Sequence, residues 1–463
     1  WYINHEDDVI KYPMIYDYKT GVYTTVVNKE DADGMYYLYK LYFRDVDING
    51  KIIETVTYAV DPYANSVSVN GDKGYVLDIN EKSTKPIGFT NHPSPILSEK
   101  DDSIIYEMHI RDFTIDESSG VINDLRGTYL GAVEENTIYK NPYNGKYVKT
   151  GIDHLCELGI THVHLMPIFD FGSVDERFPG SNNRNWGYDP KNFNVPEGSY
   201  CSNPYNPVTR ILELRQMIMK FHERGIRIVM DMVYNHMMST VNMDNIVPGY
   251  YFRSDYLGRY TNGSGCGNEL ASERPMVRKF IIDSCLHWIK DYKIDGIRFD
   301  LMELLDIDTT KEIVKKTTKL DKNFLIYGEP WKGGSSPLVN GTYKGSQKNE
   351  NFSIFNDTFR DAIRGNNHPS SGFINGNQYS SICNWSIIEG LKGSIYTITS
   401  NPNESINYVD AHDNYTLWDQ VEKSQNQSIK FGEFRFNIPD YPLNSNLVKQ
   451  DLLGMAIIFT AQG

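Results

Sequence analysis

Beyond about residue 103 the chain alternates short apolar runs with amphipathic helical stretches. The runs fall at residues 104–109, 162–166, 226–232, 294–300, 324–327, 352–355 and 406–409. Between them, apolar positions recur with helical spacing, most clearly over 208–224 and 275–292, with Pro275 at a first-turn position where proline is tolerated. Strand–helix alternation of this length predicts an α/β fold built on a parallel sheet, and the count favours the (β/α)8 TIM barrel. Seven strands are legible. The last apolar stretch, 447–461, reads as a helix with Gly463 as its C-cap. A seven-stranded barrel would expose two unpaired edges, so the sequence reads as part of a longer protein that supplies the eighth strand.

The first hundred residues have a different rhythm. Runs at 21–27 and 35–43 are aromatic and β-branched and are separated by turn residues such as Asp33-Gly34, while Asp61-Pro62-Tyr63 and Asn70-Gly71 punctuate the stretch up to residue 99. This predicts a partial antiparallel β-sandwich over 1–99 and the barrel over 100–463.

Composition narrows the function classes. A net charge of −14, with no basic run, excludes an extended nucleic-acid surface. The chain has no long uncharged apolar run and no signal-peptide pattern. Five cysteines without CxxC spacing and no HExxH motif argue against a zinc site. Cys156 and Cys285 sit in helical patterns and read as small core residues. This usage favours a reducing, cytoplasmic setting; secretion stays open because the chain begins in what reads as mid-domain.

Four polar clusters stand at the C-terminal ends of predicted strands. Gly296-Ile297-Arg298-Phe299-Asp300 is an apolar strand ending in a carboxylate, and strand alternation puts Arg298 and Asp300 on one face. There the guanidinium is expected to lower the pKa of Asp300 and keep it ionised. Phe324-Leu325-Ile326-Tyr327-Gly328-Glu329 repeats the pattern. The third strand runs out into Asp231, Asn235 and His236, and the seventh into Asp410-Ala411-His412-Asp413-Asn414. Paired acids at successive strand ends of an α/β barrel suggest a paired-carboxylate hydrolase.

The order Asp231…Asn235-His236, Arg298-x-Asp300, Glu329, His412-Asp413 resembles the four signature regions of the α-amylase clan of glycoside hydrolases, over the chain from about residue 103 to its end. Asp61-Pro62-Tyr63 looks like the close of the starch-binding-type β-sandwich that precedes the barrel in debranching and branching enzymes. Within the clan, Asn185-Trp186-Gly187-Tyr188-Asp189-Pro190 followed by Asn194-Val195-Pro196-Glu197-Gly198-Ser199-Tyr200 is similar to the hallmark of type I pullulanases. Gly328-Glu329-Pro330-Trp331, Phe299-Asp300-Leu301-Met302 and Phe355-Asn356-Asp357 with Arg360-Asp361 match the same subfamily. One departure is Arg184, where the hallmark usually begins with Tyr.

The resemblance implies a retaining glycoside hydrolase cleaving α-1,6-glucosidic links in pullulan and branched dextrins. It implies Asp300 as nucleophile, Glu329 as acid/base and Asp413 as transition-state stabiliser. Tyr188, His236, Arg298, Trp331, His412, Asp231 and Asn235 would bind or frame the sugar, with Asp231 and Asn235 more structural than the rest. Trp186 and Trp331 are candidate sugar platforms, whereas Trp385 reads as core. No organic or redox cofactor is implied, calcium is common in the clan, and the implied partner is a branched α-glucan. The alternatives are an α-1,4-acting or mixed-specificity relative, a glucan-branching transferase, and, in a different class, a non-catalytic glucan-binding protein.

Overall fold

The computed structural model describes residues 9–46, 49–141, 145–178, 185–367, 370–425 and 445–463. Arg184, the departure from the hallmark, lies outside the described residues. The centre of the fold is a parallel sheet of seven strands: β1 (Ile105–Met108), β2 (His162–Leu165), β3 (Arg227–Met232), β4 (Gly296–Phe299), β5 (Leu325–Gly328), β6 (Ser353–Phe355) and β7 (Ser405–Ile406). They lie in sequence order, each pairing in parallel with its neighbour, so β1 and β7 are the two edges. All seven predicted runs therefore form strands, with ends displaced by up to three residues where the chain turns into or out of the ladder.

The outward face of these strands is aliphatic and meets the helices. Ile228, Met230, Ile297 and Ile326 pack with Leu214 and Ile218 of α1 (Pro207–Glu223) and with Ile281 and Trp288 of α2 (Pro275–Tyr292), all buried. Both helices carry proline in the first turn, where no intrahelical donor is lost. Trp288 satisfies its indole N–H by donating to the Phe193 carbonyl at 2.9 Å.

The inward face has two layers, as the period-2 pleat requires. The lower one is apolar: Val229 and Leu325 pack with Ile105 and Ile406. Two residues further along the same strands stand Glu107, Asp231 and Tyr327, with His164 and Arg298 at the equivalent height on β2 and β4. Interiors of such barrels are usually filled by branched aliphatic side chains. A polar layer at the C-terminal end is thus the signature of a site.

One prediction needs correction, the end of the last helix. Over the stretch read as a partial β-sandwich, the described residues form two-stranded antiparallel pairs: Ile15–Asp17 with Val22–Thr24, Tyr36–Tyr37 with Gly74–Tyr75, and Tyr39–Val46 with Ile52–Ala59. The long hairpin docks on the barrel through Thr57 Oγ1, which donates to the Asn245 carbonyl at 2.7 Å. The last helix, Asn446–Phe459, ends on Thr460 rather than Gly463: φ −107° there stops the helix three residues earlier than the glycine. Among the described residues no helix is long and apolar enough to cross a membrane.

Candidate active site

Arg298 organises the site. Its side chain is 2% exposed, and Nη1 donates to both oxygens of Asp231 (2.8 and 2.9 Å) and to Asp300 Oδ1 (3.0 Å). Nη2 pairs with Glu329 Oε1 at 2.7 Å. The two acids at the ends of β4 and β5 are thereby held on the two arms of one buried guanidinium. The shared face expected for Arg298 and Asp300 is what the strand pleat delivers.

Each carboxylate has a second restraint. Asn235 Nδ2 donates to Asp300 Oδ2 at 2.7 Å and to the Asp300 carbonyl at 3.0 Å. Glu329 Oε2 accepts the Leu301 backbone N–H at 3.0 Å. Leu301 adopts φ +40°, a left-handed conformation that costs on the order of 1–3 kcal/mol for a branched residue. This strained turn aims the amide at the acid.

The carboxyls are tuned differently, though not as opposites. Burial opposes ionisation of Asp231, but Arg298, then His164 and Tyr188, overcome it and hold the group down at about 2. Burial raises Asp300 above the usual carboxylate range, against Arg298 and with Asp231 adding repulsion. Burial likewise pushes Glu329 up to about 7 despite Arg298. Arg298 lowers Asp300 as expected, but burial outweighs it and the net shift is upward, which corrects the expected direction.

Around this centre the hallmark segment supplies aromatic surface. Tyr188 donates to Asp231 Oδ2 at 2.7 Å, and its carbonyl receives His236 Nε2 at 2.9 Å. Tyr188 stacks on His412 (centroids 5.2 Å apart, planes 23°) and Trp186 meets the same imidazole edge-on at 5.2 Å. Trp186 and Tyr188, with Ser173, Asn185 and Asp189, line an open cavity of about 440 Å³. Gly187 between them has φ +90°, and a Cβ there would come within 2.8 Å of Pro167 Cβ. Gly187→Ala should therefore shift Trp186 and Tyr188, raising KM for a glucan more than it lowers kcat and costing about 1–3 kcal/mol of stability. Steady-state kinetics with a thermal melt checks both.

Of the residues singled out from sequence, Asp231, Asn235, His236, Arg298, Asp300, Glu329 and Tyr188 form one hydrogen-bonded network, and His412 joins it by stacking. Asp413 lies 3.6 Å from His412 Nε2 with its side chain half exposed. Trp331 is only partly buried and joins the network by no hydrogen bond or ring contact among the described residues. Trp385, read as core, is instead 52% exposed on the helix Ser381–Leu391, so no packing accounts for it. Asp231, expected to be mainly structural, is the fully buried partner of both Arg298 and Tyr188.

Two members escaped the sequence reading. His164 lies between Asp231 (3.4 Å) and Glu107 (3.8 Å), and Glu107 contacts His412. Their signal was available: a charged or polar residue at the penultimate position of a strand, the position that Asp231 and Arg298 also occupy.

Elsewhere, Asp170, Glu176 and Glu197 are buried with carboxylate oxygens all within 4.8 Å of one another, a spacing that could hold a metal ion.

Comparison with known proteins agrees with this geometry. The family description "Alpha amylase, catalytic domain" matches residues 146–246. A pullulanase of Bacillus subtilis (strain 168) is 39% identical over 456 residues, covering 96% of this chain and 58% of its own length. The crystal structure of a pullulanase from Paenibacillus barengoltzii, in complex with maltohexaose and α-cyclodextrin, superposes with a TM-score of 0.84 at 38% identity, covering 97% of this chain and 66% of that one. The pullulanase from Bacillus acidopullulyticus gives 0.81 at 39%, covering 97% and 53%. The chain thus spans between half and two thirds of the length of these relatives. In its strand-end acids, its shared arginine and this extended likeness, the chain is similar to the α-amylase family of glycoside hydrolases, and within it to pullulanases.

Proposed function

We propose that this protein is a debranching hydrolase that cleaves α-1,6-glucosidic links in pullulan and branched dextrins with retention of configuration. The observation that carries the reading is the placement of Asp300 and Glu329 on the two arms of Arg298, at the strand ends where barrel enzymes build their sites. Retaining glycosidases need two carboxyls about 5–5.5 Å apart, one ionised and one protonated.

In the first step an Asp300 oxygen attacks the anomeric carbon while the bond from that carbon to the glycosidic oxygen breaks. Glu329 gives its proton to the departing oxygen, and a covalent glycosyl-enzyme remains. In the second step Glu329, now a carboxylate, takes a proton from water; the resulting hydroxide attacks the same carbon and frees Asp300. Asn235 and Arg298 hold Asp300 in line, and Leu301 N–H orients Glu329. Asp413 and His412 grip hydroxyls of the sugar whose ring rests on Tyr188, His236 closes its rim, and Trp331 lies further out along the chain of sugars.

The same reading takes residues 100–463 as a (β/α)8 barrel whose circle is completed beyond the seven strands described. Residues 1–99 are read as part of a starch-binding-type β-sandwich. The product profile tests the activity. Maltotriose from pullulan with linear amylose left intact is expected; short maltooligosaccharides from amylose would move the protein to an α-1,4 or mixed-specificity relative. Binding of soluble starch without any product would make it a glucan-binding protein.

No resident metal enters this mechanism. The carboxylate group Asp170–Glu176–Glu197 has hard oxygen donors suited to calcium, but the buried Arg210 already occupies it. Arg210 donates to Glu176 at 2.8 and 2.9 Å and to Asp170 at 3.3 Å. Without a divalent cation among them, burial and repulsion from the neighbouring carboxylates raise Asp170 to about 7 and Glu197 well above the usual range. We expect EGTA to leave the melting temperature unchanged, and a fall restored by added calcium would reverse that assignment.

A further inference from the structure

The loop that follows edge strand β7 reaches edge strand β1 at the site, and the contact is polar. Glu107 is the third residue of edge strand β1; His412 lies six residues beyond the end of edge strand β7. Glu107 Oε2 accepts the His412 backbone N–H at 2.7 Å, and Oε1 accepts from His412 Nδ1 at 2.8 Å. One carboxylate thus grips both the main chain and the ring of a residue 305 positions away. No ladder hydrogen bond among the described residues joins β1 to β7.

We propose that Glu107 is a positioning residue for glucan binding: its carboxylate clamps the loop after β7 to strand β1 and fixes the orientation and charge of His412 beside the sugar. This role rests on the debranching function proposed for the site.

The geometry has three consequences. First, with Nδ1 committed to Glu107, Nε2 is the nitrogen that faces Asp413, 3.6 Å away. Second, the ring plane is set from both sides, by Glu107 at its edge and by Tyr188 stacked on its face. Third, a carboxylate at hydrogen-bond distance favours the imidazolium. The charged and titratable groups around His412 are Glu107 from β1, with His164 of β2 behind it, Arg298 of β4, Asp413 on the same loop, and the Tyr188 phenol. Burial and Arg298 oppose the imidazolium, whereas Glu107 and Asp413 favour it, and the balance lies above the ordinary histidine value. Glu107 itself stays below the usual carboxylate range: burial opposes its charge, and His412 and His164 outweigh that.

Glu107→Gln is the informative change, because the amide keeps the size and one acceptor oxygen but loses the charge. Histidine-selective NMR of the whole chain, with its 11 histidines, gives the His412 titration directly, assigned by its loss in His412→Gln. The midpoint is expected to fall by about 1 pH unit or more in Glu107→Gln, the effect of one adjacent opposite charge. Alongside it, KM for pullulan should rise about 10- to 100-fold, the range carried by one charge-assisted hydrogen bond, with a smaller change in kcat. Glu107→Asp should recover part of both.

An unchanged His412 midpoint in a folded Glu107→Gln protein would overturn the proposal, as would equal losses in kcat and kcat/KM with KM unmoved. Should Glu107→Gln fail to fold, Glu107→Asp carries the same two readouts. If the unaltered protein cleaves no pullulan, the debranching reading fails alone, and the titration still decides whether Glu107 sets the charge of His412.

Discussion

Asp300→Asn should reduce hydrolysis of pullulan on the order of 10⁴-fold or more while the fold persists. Catalysis fails because the amide cannot form the glycosyl ester at a useful rate. The surrounding network offers no substitute: Asp231 is fully buried beneath Arg298, and Glu329 is needed as the acid. Stability survives because Asn can still meet Arg298 Nη1 through its oxygen, and the removal of a charge that burial disfavours offsets the Asn235 Nδ2 hydrogen bond that its NH2 cannot accept. The folded-state pKa of Asp300 lies above its ordinary value. The carboxyl therefore favours folding fully at low pH, and that contribution is lost as pH rises from the ordinary value through the folded one. At neutral pH the ionised group is a liability to the fold, kept for function. The melting temperature of Asp300→Asn should consequently equal or exceed that of the unaltered protein, a stability–activity trade-off. Turnover and a melt on the same preparation check both effects; near-normal turnover would remove the nucleophile assignment.

Glu329→Gln should show a loss that depends on the leaving group. With pullulan, whose leaving group is a sugar alkoxide, a fall of about 10²- to 10⁴-fold is expected. With an aryl α-glucoside whose phenol departs unaided, the glycosylation step should be nearly unaffected. The pH profile adds an independent readout. Since Glu329 is pushed up to about 7 by burial and must be protonated for the first step, kcat/KM should decline as pH rises through that region. In Glu329→Gln this limb should disappear. Equal losses across leaving groups, or a limb that survives the substitution, would argue against the acid role. Arg298 bears on both experiments, because its Nη2 contact opposes the rise in Glu329 and its Nη1 contacts hold Asp231 and Asp300.

The two pullulan experiments separate chemistry from binding, and the substitutions at Gly187 and Glu107 complete the separation. The first pair acts on the reacting acids. The second pair acts on the aromatic and imidazole surface that receives the sugar, and its effect should fall mainly on KM.

The seven strands of the parallel sheet and both long helices could be read directly from the chain. Their apolar periodicity is strong because a parallel sheet covered by helices must bury its outward face along its full length. The two acids of the candidate site were equally legible, since Asp300 and Glu329 each follow the end of an apolar strand. Local sequence carried less of the N-terminal region. There 21–27 and 35–43 read as strands, but only long-range partners decide which hairpins form and what they pack against. The end of the last helix was also a tertiary outcome: Gly463 was available as a cap, yet the chain left the helix at Thr460.

The amino-acid order thus carried periodicity and the placement of acids at strand ends, both consequences of the two-residue repeat of a strand. Tertiary structure decided which charges share a partner. Arg298 was read as the neighbour of one carboxylate, but the curvature of the sheet brings Asp231 and Glu329 to the same guanidinium, and the pKa of Asp300 is then governed by burial instead of its nearest charge. Glu107 and His412, 305 residues apart, became partners because the loop that follows β7 reaches strand β1. Distances along the chain carry no information about such closure, whereas the electrostatics of the site depend on it.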